Sequence, residues 1–286
     1  MKICWFDDYK LGIVEGDMVA DVSAALSVLP AAQYPVRAFG DPLIANLDAV
    51  LAAAKPLLAN AVRKPLAEVF LHSPVANPSK IIGVPVNYLK HVEEAHAQRD
   101  EFTDRYAGAL EEQGLFLKAN SALTGFGNGI QLRFADRRND HEMELGMVIG
   151  KSGSNIAQED AMDFVAGFTI ALDIVVRGPE DRSFRKSVDT YAVVGPWMIT
   201  KDEVATPQDL DFSLKVNGDL RQASNTRHMI MKLTHQIAYA SKFYTLHPGD
   251  VFMTGTCEGV GRIEPGDTLE CWIDGVAQGA LKVSAA

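Results

Sequence analysis

Three carboxylates lie in stretches that otherwise read as buried β-strand, and no other feature restricts the fold of this chain as much. Two of them occur in His141-Glu142-Met143-Glu144-Leu145-Gly146-Met147-Val148-Ile149-Gly150. Side chains two apart on a strand share a face, so Glu142 and Glu144 point one way while Met143, Leu145, Met147 and Ile149 point the other. Neighbouring like charges repel, and Glu is a poor strand former. Either this strand is a solvated edge, or a divalent cation sits between the carboxylates, since hard cations bind carboxylate oxygens. The third acid is Asp173, inside the apolar run 167–176. An ionised carboxylate there is costly unless it is paired, with Arg177 as a candidate, or bound to metal. Together the three offer an oxygen-only, open site, with the remaining coordination left to water and substrate, as Mg2+ prefers.

Other segments carry weaker signals. His91 and Glu94 are three apart in Asn87-Tyr88-Leu89-Lys90-His91-Val92-Glu93-Glu94, hence neighbours on a helical turn. A carboxylate beside an imidazole fixes its tautomer and raises its basicity, as a general base requires, although most such pairs are surface contacts. His96 has the wrong spacing from His91 for a helical zinc pair and reads as solvent-facing. The segment 177–190 places Arg177, Arg182, Arg185 and Lys186 in an otherwise acidic chain. It reads as a solvated loop balanced by Glu180, Asp181 and Asp189, or as a recognition loop for a substrate carboxylate with a lysine to stabilise developing charge. The glycine-dense stretch 254–261 is a plain hairpin or a seat for an anion on backbone N–H groups. It is neither a Walker A sequence nor a dinucleotide fingerprint.

Residues 1–75 read as a small N-terminal α/β domain, with short strands at 3–6, 11–14 and 18–22. An Ala- and Leu-rich helix follows over 46–69, interrupted at Pro56 and Pro65, and then a linker-like segment at 72–80. Residues 76–286 are strand-rich (81–86, 145–149, 164–176, 251–253, 268–273), with helical stretches at 93–114 and 231–246. Strands do not alternate with helices as a doubly wound fold requires, so the class is α+β, predominantly β.

The sequence holds 27 Lys and Arg against 37 Asp and Glu, a net charge of −10. Nucleic acid and anionic membrane are repelled, so an anionic ligand needs a local basic cluster. Cys4, Cys257 and Cys271 are odd in number and unclustered, which argues against a zinc site or disulfide framework and for a reducing compartment. No signal-peptide core follows Lys2, and no apolar run is long enough to span a bilayer, so a soluble, cytoplasmic protein is expected.

Taken in order, these segments resemble the fumarylacetoacetate hydrolase family over about residues 80–283. The motifs are Ile82-Gly83-Val84-Pro85-Val86-Asn87-Tyr88 with His91, Phe116-Leu117-Lys118 with Ser121-Ala122-Leu123, and the His-Glu-Met-Glu-Leu strand. They continue with 167–173, Lys186-Ser187-Val188-Asp189-Thr190 with Gly195-Pro196-Trp197, and Pro248-Gly249-Asp250 through Thr254-Gly255-Thr256. The resemblance implies a mixed β-sheet roll or sandwich catalytic domain, usually homodimeric. It implies that Glu142, Glu144 and Asp173 hold Mg2+ or Mn2+, with Ca2+ as an alternative. His91 and Glu94 would be an acid/base dyad, Lys186 would lie near the reacting carbon, and Tyr88, Lys118, Arg177, Gly255 and Thr256 would contact substrate. The implied activity is hydrolysis of a C–C bond in a small anionic acylpyruvate-like or diketo acid through an enolate. A decarboxylase or an isomerase/tautomerase of a 2-oxo acid is the alternative on this scaffold. From another class, the alternative is a non-catalytic dimeric metal- or ligand-binding protein. Three departures bear on substrate choice: Gly178-Pro179-Glu180 where the family often has Asp followed by Gln, Cys257-Glu258 in place of Pro-Ala, and the long excursion 95–113.

Overall fold

The apolar runs of the sequence become the central strands of the structure, a computed structural model that describes residues 1–31, 40–97 and 113–286. From the N-terminus come β1 (Lys2–Phe6), β2 (Lys10–Glu15), β3 (Met18–Asp21), β4 (Arg63–Pro65), β5 (Ile81–Gly83) and β6 (Phe116–Lys118). The middle of the chain supplies β7 (Leu123–Thr124), β8 (Ile130–Leu132), β9 (Asn139–His141), β10 (Met143–Ile149), β11 (Val165–Asp173), β12 (Val175–Val176) and β13 (Ala192–Thr200). The last are β14 (Asp211–Val216), β15 (Asp219–Asn225), β16 (Val251–Met253), β17 (Gly261–Ile263), β18 (Thr268–Ile273) and β19 (Ala277–Ala285). They form a large sheet in the order β4-β3-β2-β1-β13-β11-β10-β16-β5-β6, a five-stranded sheet β15-β14-β18-β19-β8 and a small sheet β12-β9-β17. This is the predominantly β, mixed-sheet architecture expected.

Every residue of β10, β11 and β13 is buried, because the large sheet is covered on both faces. On one face Met143, Leu145, Met147 and Ile149 pack in a core with Phe212, Leu214 and Leu281 of the five-stranded sheet. On the other, Val148, Ala171, Val194 and Met253 meet Leu43, Ile44, Val50 and Ala54 from the helices Pro42–Ala45 and Leu47–Leu57. Strands sandwiched in this way read as continuous hydrophobic runs, as these do. β10 is flanked by β11 and β16, so the solvated-edge reading of Glu142 and Glu144 is overturned.

The expected helix over 46–69 is shorter. It ends at Leu57, and the chain returns as β4, whose Pro65 pairs with Met18 at the edge of the sheet. The interruption expected at Pro56 does not occur, since that residue is held within the last turn of the helix, whereas Pro65, with no N–H to donate, sits where an edge strand tolerates it. The helix Leu89–Ala97 begins the excursion expected at 93–114; the rest of that excursion and the side chain of His96 lie outside the described residues. The second expected helix is present as Leu233–Ala240. No helix among the described residues is long and apolar enough to cross a membrane.

The segment 72–80 is fastened rather than free. Asp41, buried, caps the helix at Pro42–Ala45 by accepting from Leu43 N (2.9 Å) and Ile44 N (3.2 Å) through Oδ1. Its Oδ2 accepts from Ala76 N (2.8 Å) and Asn77 N (3.0 Å). Ser79 and Lys80 are held in the same way by the buried Asp250. Asp41→Ala strands four backbone donors at once and is expected to lower the unfolding free energy by about 3 kcal/mol, checked by urea titration.

Candidate active site

Antiparallel pairing of β10 with β11 sets the acids side by side. Met143 is opposite Leu172 and Glu144 opposite Ala171. One step beyond, Asp173 N donates to Glu142 O at 2.9 Å. Glu142, Glu144 and Asp173 are all buried, and one carboxylate oxygen from each lies within 4.8 Å of the others. Strand geometry thus assembles the triad that the sequence pattern singles out.

Two buried ammonium groups answer part of this charge. Lys118, at the end of β6, donates to Asp173 Oδ1 and to Ile174 O. Lys186 donates to Asp173 Oδ2 and, at 2.7 Å, to Glu142 Oε2. Arg177 is the candidate partner that the sequence offers for Asp173 if no metal is bound. Instead β12 turns Arg177 toward β9, where Nε donates to Asp140 Oδ2 at 2.7 Å and Nη2 reaches Glu142 Oε1 at 3.5 Å. Burial works against ionising Glu142, but Lys186, Arg177 and His91 outweigh it and hold the carboxyl well below its usual range. Burial lowers Lys118, helped by Lys186; at Lys186 burial is overcome by Asp173 and Glu142, so its ammonium persists. Glu144 accepts from Gly255 N at 2.7 Å, and no Lys or Arg among the described residues pairs with it. Burial, then the neighbouring Asp173 and Glu142, push its carboxyl well above the usual range.

The helix Leu89–Ala97 brings His91 and Glu94 to this cluster, with Nδ1 and Glu94 Oε2 3.1 Å apart. Burial opposes a charge on Glu94, but the bonds from His91 and Gly259 N prevail and keep it ionised. An ionised Glu94 is an acceptor only, so Nδ1 carries the ring proton and Nε2 is the basic nitrogen. His91 lies near enough to Glu142 to act on it electrostatically when the ring carries a second proton. Tyr88 packs edge-on to Phe212, and its buried hydroxyl has no hydrogen-bond partner among the described residues.

The glycine loop runs against the triad rather than standing free as a hairpin. Gly255 has φ +102° and comes so close to Asn87 that an added Cβ would be 2.3 Å from Asn87 Cβ, so only glycine fits. Thr256, 2% exposed, donates its hydroxyl to Met143 O at 2.7 Å and accepts from Gln222 Nε2 at 2.8 Å. Its side chain is therefore engaged within the protein.

Three residues of the site escaped the sequence reading. Asp140 continues the two-residue alternation of Glu142 and Glu144, and extending that pattern by one step would have found it. Asn87 Nδ2 donates to Met231 O (3.0 Å) and Thr254 O (2.8 Å), pinning the start of the His91 helix. Gln222 reaches the loop from β15, a strand with no recognisable motif.

The chain is similar to known proteins of one family. Residues 80–284 match the family described as fumarylacetoacetate (FAA) hydrolase C-terminal. A maleylpyruvate hydrolase of Aquipseudomonas alcaligenes is 51% identical over 271 residues, covering 94% of both chains. A mitochondrial oxaloacetate tautomerase of Xenopus laevis is 34% identical over 92% of this chain and 82% of its own. A crystal structure of maleylpyruvate hydrolase from a Sphingobium species, in complex with manganese(II) ion and pyruvate, superposes over 100% of both chains with a TM-score of 0.83 at 39% identity.

The charge balance has a measurable consequence without any ligand. In chelator-treated protein Glu144→Gln keeps an acceptor for Gly255 N and removes the uncompensated carboxylate. It is expected to raise the unfolding free energy by about 1–2 kcal/mol in denaturant titration.

Proposed function

The chain belongs to the fumarylacetoacetate hydrolase family, and on that premise we propose that it is a divalent-metal-dependent hydrolase of a small acylpyruvate such as maleylpyruvate. The observation that carries this is Glu144, a buried carboxylate held beside two others with no cation of its own. An all-oxygen donor set of this kind fits Mg2+ or Mn2+, held by Glu142, Glu144 and Asp173. When bound, the ion polarises the oxygens of the 2-oxo acid end and eases the build-up of negative charge on it.

The chain's own groups supply the rest. His91 Nε2 takes a proton from water, while Glu94 holds Nδ1 and so the ring. The water oxygen adds to the acyl carbonyl carbon, the bond to the adjacent methylene carbon breaks, and that carbon gains a proton to become the methyl group of pyruvate. Lys186, kept as an ammonium, stabilises the negative charge on the departing fragment and can return the proton. Lys118 holds Asp173 in place from its far side. In this reading Tyr88, Arg177 and the backbone at Gly255 and Thr256 contact the substrate, and the buried, unpartnered Tyr88 hydroxyl would gain a partner there. The three free thiols are buried, in keeping with a cytoplasmic protein, and family membership supports a homodimer.

The likeness to an oxaloacetate tautomerase favours a second reading, in which the same groups move a proton between carbon and oxygen and water does not attack. Product analysis separates the two: hydrolysis yields pyruvate and a second acid in equal amounts, tautomerisation yields neither.

Isothermal titration of Mn2+ and Mg2+ is expected to show one site per chain, abolished in Asp173→Ala and Glu144→Ala. No uptake by the wild type, or equal uptake by the variants, overturns the site assignment. His91→Ala and Glu94→Ala are expected to lower kcat by about 100-fold or more with Mn2+ affinity unchanged, as loss of a general base does.

A further inference from the structure

Gln222 is fully buried on β15, between exposed neighbours, and it belongs to the five-stranded sheet rather than to the strands carrying the triad. A buried amide is costly unless its two donors and its acceptor sites are used. Here they are all used. Nε2 donates to Thr256 Oγ1 (2.8 Å) and Cys257 O (3.1 Å), and Oε1 accepts from Met143 N (2.9 Å) and His141 Nδ1 (3.1 Å). The two ends cannot be exchanged, because a backbone N–H faces one and a backbone carbonyl the other.

What the amide joins is the glycine loop on one side and the β9–β10 junction on the other. Met143 stands between Glu142 and Glu144, and Thr256 follows Gly255, whose N–H donates to Glu144. Farther along the loop, Gly259 (φ +87°) lies flush on the backbone of β15, where an added Cβ would be 2.0 Å from Arg221 O. Gly259 N in turn donates to Glu94. The loop therefore touches the triad at one end and the dyad at the other, and β15 holds it at both points.

We propose that Gln222 is a positioning residue: it sets the register of loop 254–261 against the Glu142–Glu144 strand and, through Gly259 and Glu94, the placement of His91 over the triad. This rests on the acylpyruvate-hydrolase reading for its kinetic readout. Gln222 touches neither the triad carboxylates nor the dyad, so its loss perturbs alignment while leaving the carboxylate set in place.

The test is a double-mutant cycle of Gln222→Met and Thr256→Val, which share the Gln222–Thr256 link; the first also removes the bonds to Cys257 O, Met143 N and His141, the second the bond to Met143 O. Each single variant is expected to lose about 100-fold in kcat, the scale set by an ångström of misplacement, with the Mn2+ dissociation constant within about 3-fold of wild type. The double variant is expected to fall well short of the product of the two single losses, because the link that the two residues share is broken only once. A purely structural Gln222 gives losses that multiply, or a lower urea midpoint with kcat intact. Either result overturns the proposal, as does Mn2+ affinity falling in step with kcat. If the wild type cleaves no acylpyruvate, the hydrolase reading fails. The same cycle is then read in the affinity of Mn2+-loaded protein for oxalate, where the same non-multiplying loss is expected and a multiplying one overturns it. Should Gln222→Met not fold, Gln222→Asn, which keeps the amide but shortens its reach, is measured in its place against the same criteria.

Discussion

The buried interior of this protein gathers three carboxyl groups at one point, and much of the surrounding structure serves to tolerate that. Glu142, Glu144 and Asp173 meet where β10 and β11 pair, with Lys118 and Lys186 as their buried ammonium partners. Such a cluster in low dielectric persists only if the backbone beneath it cannot relax away. The two strands lie mid-sheet, hydrogen-bonded on both sides and covered by apolar side chains on both faces. Hydrophobic packing thus holds together carboxyl groups that would repel one another if all were ionised.

Around this fixed point the groups proposed as catalytic arrive from less regular elements. Lys186 follows a single helical turn capped by Asp181, and His91 stands on a helix whose start is pinned by Asn87. The glycine loop ties these parts together. Its conformation depends on Gly255 and Gly259, each with positive φ and each pressed against a neighbour that leaves no room for a side chain. The loop's hydrogen bonds are spent largely on the protein itself, on Glu144, Met143, Gln222 and Glu94. It acts as a brace for the site as much as a surface toward substrate.

The triad was legible because strand alternation and burial are local properties: two glutamates two apart and an aspartate in an apolar run need no knowledge of the fold. The partners were not legible, since they depend on which distant segments meet. Arg177 is near Asp173 in the chain yet faces Asp140, while Lys118, 55 residues away, makes the contact. Composition misled at 46–69, where Ala and Leu favour helix but the sheet recruits 63–65 as an edge strand. Gln222 carries no signal of its own. A glutamine in a strand of alternating burial looks like any other until the loop that it meets is placed.

The contrast between a mid-sheet triad and a dyad borne on a helix has an evolutionary reading. Substitutions in β10 or β11 disturb the core and the ion site together, so few can survive. Substitutions in the helix 89–97 fall on the proposed acid/base pair and leave the carboxyl cluster of β10 and β11 in place. A lineage built on this frame can therefore drift between hydrolysis and tautomerisation without rebuilding its core, and diversification of its chemistry should concentrate in the segments that cover the site.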